Sequence, residues 1–378
     1  MEYYLEYGGG LGDILNGIFR DQGYRSLGAM VAGDQTTVGL ITHNPFAHEL
    51  FEWHPKRAQL DVRQLPYWQP HEDAVQRPRH MLPSAQRHPS GRVEPSVTFY
   101  PSPTDLRLLD ELPSTGYVVL AASAGLPDRS IPRPLIDQIV ADVTADGLHV
   151  VLTGRTYDRH GRSEHRPREQ DRVIDLIDKL SVPGTAEAVR RSRGVVSCHS
   201  AINLLGWHLR KPQLLLYPQS VVDRHFRHHP RDQWSFGLDR EETVHAEFAQ
   251  FDRKLVGDFL GRVALELLPE VRPHTIVGED RLRSLCQAVR ESKGAGGATA
   301  VVGVFRGGST RLIARVDPVR PLWAFDTFRG ICNAEPGVDG HQNGDFADVA
   351  VADVRSYLRD CPNVNIVPGY FPDTAAAV

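Results

Sequence analysis

The sequence predicts an α/β protein built from successive units of parallel sheet, and three observations carry that prediction. Short apolar strands alternate with helix-spaced segments along most of the chain. Two glycine-rich turns of the nucleotide-binding type, Gly8-Gly9-Gly10-Leu11-Gly12-Asp13 and Gly303-Val304-Phe305-Arg306-Gly307-Gly308-Ser309, each follow a strand. A stretch from about Gln69 to Gly116, rich in Pro, His, Arg and Ser, interrupts the alternation and reads as an interdomain connection. The 378 residues suffice for two or three domains. The divisions fall at residues 1–112, 113–268 and 269–378.

Tyr3 to Tyr7 reads as a strand, the first glycines as its turn, and Leu11, Ile14, Leu15, Ile18 and Phe19 as the apolar face of a helix with Asp13 in its first turn. A strand at Val38 to Ile41 ends at Asn44-Pro45, and a short helix is expected from Phe46 to Trp53. Past the connection, Tyr117 to Ala121 and Leu148 to Leu152 are strands flanking a helix marked by Leu135, Ile136, Ile139, Val140 and Val143. Val173 to Leu176, Gly194 to Ser197 and Gln213 to Tyr217 continue the sheet. Phe248 to Leu268 reads as one long helix closing this region. The polar run between Arg155 and Arg172 lacks apolar surface to pack, so it is a solvated loop or a lid over a phosphate.

A net charge of −4 gives no field favouring nucleic acid or an anionic membrane. Cys198, Cys286, Cys332 and Cys361 have no CxxC spacing, which argues against both a disulfide framework and a zinc site. No apolar run approaches the length of a membrane span and no leader opens the chain, so the expectation is a cytoplasmic protein. His225, His228 and His229 have helical metal-ligand spacing but no neighbouring carboxylate or cysteine, and no metal is expected. Trp207, Trp234 and Trp323 read as packing, with Trp234 a possible sugar platform.

Over residues 1–268 the chain resembles the GT-B glycosyltransferases, most closely the heptosyltransferase-like glycosyltransferase family 9. The carriers are Gly9-Gly10-Leu11-Gly12-Asp13-Ile14-Leu15, Ser123-Ala124-Gly125 with Arg129-Ser130-Ile131-Pro132, Val150-Val151-Leu152-Thr153-Gly154, and Val195 to Ala201 running to Lys211-Pro212. The resemblance implies two Rossmann-like domains in GT-B arrangement, the first on the acceptor side and the second binding a nucleotide-sugar donor. It also implies transfer to a hydroxyl of a small-molecule or glycan acceptor with inversion. Such transfer needs a carboxylate near the acceptor hydroxyl and cations or N–H donors at the leaving diphosphate. Asp13 is the candidate base, although an Asp there also caps a helix. Gly10, Gly12, Ser123, Arg129, His199 and Ser200 are the candidate donor-binding residues, although a loop arginine such as Arg129 is often only a solvated charge. Where the family has Asp-Ser-Gly-Pro and a later His, this chain has His199-Ser200-Ala201-Ile202, which leaves the donor's identity open.

Residues 269–378 resemble the start of the macrocin O-methyltransferase (TylF-type) family, through Ala300 to Thr310, Leu322 to Gly330 and Val364 to Thr374. The resemblance implies a partial Rossmann-like methyltransferase unit using S-adenosylmethionine, held by Gly303, Gly307, Gly308 and Asp326. Val301 replaces the family's Glu, and the sequence stops before the strands that carry the family's metal-binding carboxylates. This segment is therefore expected to be incomplete, unable to methylate alone, and to expose an edge and an apolar face suited to self-association. Two other readings stay open: a sugar O-methyltransferase whose remaining half lies elsewhere, and a GT-B-shaped binding or scaffold protein without chemistry.

Overall fold

A computed structural model describes residues 3–7, 38–42, 49–53, 55, 61–64, 99–113, 116–124, 127–155, 166–167, 172–223, 243–335 and 337–377. Two units separate by internal contacts: residues 1–142 with 149–259, and residues 143–148 with 260–378.

The first unit holds two sheets. Strands β1 (Tyr3–Tyr7), β2 (Val38–Thr42) and β3 (Asp61–Gln64) pair in parallel in that order. The larger sheet has six parallel strands: β4 (Tyr117–Ala121), β5 (His149–Leu152), β6 (Val173–Asp175), β7 (Gly194–Cys198), β8 (Gln213–Tyr217) and β9 (Thr243–Glu247). Their order is β6-β5-β4-β7-β8-β9, the doubly wound arrangement in which the winding reverses between β4 and β7. All five residues of β4, of β7 and of β8 are buried, as expected for parallel strands covered on both faces. One face carries Val119, Val151 and Val195 into a core shared with Leu109, Val182, Ala186, Val189, Leu205 and Trp207.

Those covering residues come from α2 (Pro103–Asp110), α4 (Val182–Arg191) and α5 (Ala201–His208), which with α1 (Glu49–Glu52) and α3 (Arg133–Ala145) are numbered in chain order. Leu50 of α1 enters the same core, while Glu49 Oε2 accepts from Val182 N at 2.8 Å and pairs with Arg155 at 2.7 Å.

Helix α2 lies within the stretch that the sequence presents as an interdomain connection. Ser102-Pro103 is not linker chemistry here but a helix start: Ser102 is the N-cap in a full capping box with Asp105, and Pro103 takes the first helical position, where its missing N–H costs nothing. Asp105 is 2 % exposed and accepts from Ser102 N (2.8 Å), Ser102 Oγ (2.7 Å), Ser181 N (2.9 Å) and Ser181 Oγ (2.7 Å). One carboxylate thus joins the N-termini of α2 and α4. Burial alone would push its pKa up, but the bonds from Ser181 and Ser102 outweigh this and hold the carboxyl below the usual carboxylate value.

The expected helix over Phe248 to Leu268 is interrupted. A 3₁₀ turn (Phe248–Gln250) precedes α6 (Arg253–Leu265), and a short α7 (Leu268–Val271) follows. Asp252 marks the restart, its side chain accepting from Lys254 N at 3.0 Å as a cap does.

The second unit has three parallel strands, β10 (Thr299–Val302), β11 (Leu322–Asp326) and β12 (Val364–Pro368), in that order. Leu322 and Val301 pack in a core with Leu282, Cys286, Leu312 and Val316, supplied by α8 (Glu279–Glu291) and α9 (Gly308–Val316). Ala324, Val364 and Ile366 pack with Val354 and Leu358 around α10 (Val351–Tyr357). Arg311 of α9 is 8 % exposed and bonds Glu270, the Tyr357 carbonyl and Asp360, tying the C-terminal end of α10 to α7. Val302, Tyr370 and Phe371 are exposed, with Phe371 edge-on to Phe325.

Candidate functional site

In an open parallel sheet the carboxyl ends of two neighbouring strands whose connections leave in opposite directions form a crevice, and here those strands are β4 and β7. The chain leaving β4 runs through Ser123 and Ala124 and re-forms as a 3₁₀ turn at Pro127–Arg129. Two bonds fold this loop back: Ala124 N donates to Ser130 Oγ at 3.0 Å and Ile131 N to the Ala122 carbonyl at 2.8 Å. Ser220 Oγ, beyond β8, fixes Asp128 at 3.0 Å. The loop is therefore held from both sides, and Arg129 is presented toward β7.

The chain leaving β7 gives His199 and then Ser200, the N-cap residue of α5. Arg129 Nη1 lies 3.3 Å from His199 Nδ1, so two residues far apart in sequence meet across the crevice. Ser200 has extended backbone but makes no side-chain cap, leaving the positive end of α5 without the usual serine acceptor. Beside it, Ser197 Oγ and Thr153 Oγ1 are buried without a hydrogen-bond partner among the described residues. They lie on the same sheet face as Val195 and Val151, on either side of β4. Buried hydroxyls are normally bonded, so two unsatisfied ones at the carboxyl ends of the strands flanking β4 point to a polar ligand. Gly154, next to Thr153, has φ +123° and open space where a side chain would stand.

Cys198 is buried, and burial pushes its thiol up to about 12, so it supplies no thiolate nucleophile. Among the described residues no group of three or more His, Cys, Asp or Glu is arranged to hold a metal ion. Nor is any of their helices long and apolar enough to cross a membrane.

Four of the sequence-predicted donor-site residues thus lie around one crevice: Ser123, Arg129, His199 and Ser200. Gly10, Gly12 and Asp13 lie outside the described residues, as do His225, His228, His229 and Trp234. Sequence reasoning placed Thr153 and Ser197 inside family motifs but not among the donor-site residues; their signal is a hydroxyl at or just past the end of an otherwise apolar strand.

In the second unit, Gly303 and Gly307 both have φ +88°, the left-handed conformation that favours glycine. A side chain at Gly303 would meet nothing within 4 Å, whereas one at Gly308 would stand 2.6 Å from the His274 carbonyl oxygen. Gly308 is therefore required by packing of α9 against the chain after α7. Asp326 Oδ2 accepts from Val304 N (2.7 Å) and Phe305 N (2.8 Å), and its Oδ1 accepts from Phe328 N (2.7 Å). A carboxylate offers about four lone-pair positions, so these bonds leave about one, fewer than the two hydroxyls of a ribose use. Asp326 thus clamps its own glycine turn.

Residues 235–378 match the macrocin-O-methyltransferase (TylF) family model. The TylF match begins within the first unit, before α6, and covers the whole glycine turn, β10 to β12 and Asp326. A comparison with curated protein sequences gives no match. Among solved structures, E. coli ADP-heptose LPS heptosyltransferase II is similar at 12% identity and a TM-score of 0.47, covering 70% of this chain and 99% of that one. A glycosyl transferase family 9 protein of Veillonella parvula is similar at 12% identity and a TM-score of 0.43, covering 66% and 87%. E. coli heptosyltransferase WaaC, solved with ADP-2-deoxy-2-fluoro heptose, is similar at 14% identity and a TM-score of 0.42, covering 69% and 99%.

Proposed function

We propose that the chain is a glycosyltransferase whose nucleoside-diphosphate sugar donor places its diphosphate at the β4/β7 crevice. The observation that carries this reading is the Arg129–His199 contact across the crevice, beside the uncapped N-terminus of α5. A leaving diphosphate accumulates negative charge, and a fixed guanidinium, an imidazole and helix N–H groups are donors suited to it. The unpartnered hydroxyls of Thr153 and Ser197 support a polar ligand at the same place.

The acceptor oxygen attacks the anomeric carbon as the bond to the diphosphate breaks, with inversion, and its proton passes to a base. Asp13 is the residue assigned that role by the sequence. The two domains of this reading are residues 1–112 and 113–268, in GT-B arrangement, working in the cytoplasm.

The TylF match favours a second reading, methyl transfer from S-adenosylmethionine to a sugar hydroxyl. The engagement of Asp326 by its own turn counts against it for this chain alone. A thermal-shift panel of nucleotide sugars tests the proposal, since a bound donor raises the melting temperature according to its concentration relative to Kd. Stabilisation by one nucleotide class is the expected result; a flat panel, with stabilisation by S-adenosylmethionine instead, would favour the second reading.

A further inference from the structure

The contact between Arg129 Nη1 and His199 Nδ1 fixes more than a distance. A guanidinium carries N–H donors and no acceptor, so in this 3.3 Å contact Nδ1 must be the acceptor and bears no proton. A neutral imidazole then holds its proton on Nε2, on the side of the ring away from the guanidinium. A second proton on Nδ1 would face the Arg129 N–H and break the contact. The loop that carries Arg129 is fastened on both sides of it, with Ala124 N donating to Ser130 Oγ and Ser220 Oγ to Asp128. Among the described residues, the titratable groups next to this pair in sequence include Asp128, held by Ser220, and the Cys198 thiol, which burial keeps protonated.

Resting on the diphosphate reading of this crevice, we propose that Arg129 is a positioning residue that locks His199 in its Nε2–H tautomer, and that His199 Nε2–H donates to a phosphate oxygen of the donor. His199 then serves as a hydrogen-bond donor and not as the base that receives the acceptor's proton. The chain has a histidine at the point where its resemblance to glycosyltransferase family 9 leads one to expect a carboxylate. An N–H donor there would attract a phosphate oxygen, whereas a carboxylate would repel it.

The test uses the full chain with histidine nitrogens labelled, His199 being assigned by loss of its signals in His199→Gln. The expected nitrogen shifts are those of an unprotonated Nδ1 and a protonated Nε2 in the wild type, with mixed tautomers in Arg129→Ala. Inorganic pyrophosphate, common to every nucleoside-diphosphate donor, is the binding probe. His199→Asn, whose amide sits where Nδ1 did, should lose about tenfold in affinity, the lower end for one charge-assisted bond. His199→Gln, whose amide reaches the Nε2 position, should restore most of that loss. A protonated Nδ1 in the wild type, or equal affinities for the Asn and Gln variants, overturns the proposal while leaving the crevice a diphosphate site. No pyrophosphate binding by the wild type overturns the diphosphate reading, and the proposal with it.

Discussion

Replacing Asp105 by Asn should destabilise the first unit through a route that can be followed bond by bond. The native carboxylate accepts four hydrogen bonds, two from backbone N–H groups and two from serine hydroxyls, at 2.7 to 2.9 Å. An Asn side chain keeps one acceptor oxygen and brings an NH₂ group into the place of the other. The serine hydroxyls can rotate to accept from that NH₂, but the backbone N–H of Ser102 or of Ser181 cannot, and one of them is left unsatisfied. That orphan costs about 1–3 kcal/mol, and replacing charge-assisted bonds by neutral ones adds about 1 kcal/mol, for a total of about 2–4 kcal/mol. Asp105 also packs closely on α4: a Cβ added at Gly184 would stand 2.3 Å from its Oδ1.

The assay is urea unfolding followed by tryptophan fluorescence, since Trp207 lies in the core that α2 and α4 cover. The Asp105 carboxyl titrates below its unfolded value in the folded chain. Its contribution is therefore complete above the unfolded pKa near 4 and is lost as pH falls through the folded pKa. The gap between wild type and Asp105→Asn should be full at pH 7 and narrow in acid. A gap under about 0.5 kcal/mol at pH 7, or one that does not narrow, would refute the argument that one ionised carboxylate joins the two helix starts.

Three further outcomes are expected. Arg129→Ala should weaken nucleoside-diphosphate binding about ten- to a hundredfold, from the loss of about 1.5–3 kcal/mol of charge-assisted interaction, with little change in melting temperature; titration calorimetry measures both affinity and stoichiometry. Asp13→Asn should lower glycosyl transfer by about a hundredfold or more while donor affinity changes little, read from steady-state rates and donor titration side by side. Gly308→Ala should destabilise the second unit by about 1–3 kcal/mol because its Cβ would stand 2.6 Å from a backbone oxygen, which thermal unfolding will register.

The parts of the fold legible in the sequence are those where burial wrote a continuous apolar run. Tyr117–Ala121, Gln213–Tyr217 and Leu322–Asp326 stand out for that reason. Thr243–Glu247 did not, because an edge strand with Thr, His and Glu has no such run, and only pairing with β8 makes it a strand. Helix α2 was hidden by its own start signals, Pro and Ser, which in a Pro-rich context read as linker. Arg129 and His199 were individually legible through their motifs. Their meeting was not, since it depends on β4 and β7 becoming neighbours, which strand order decides and local sequence does not. The bonding of Asp326 was hidden for a similar reason: the end of a strand marks where an acid sits, but only the return of the glycine turn onto it brings Val304 N and Phe305 N to its carboxylate.

A crystal structure of the full chain with the nucleoside diphosphate that stabilises it most would test the central claim most directly. The account predicts phosphate oxygens within hydrogen-bond distance of His199 Nε2 and of the first-turn N–H groups of α5, with the Thr153 and Ser197 hydroxyls newly partnered by the ligand or its waters. A diphosphate bound instead at the Gly303 to Gly308 turn, with the β4/β7 crevice unchanged, would contradict it.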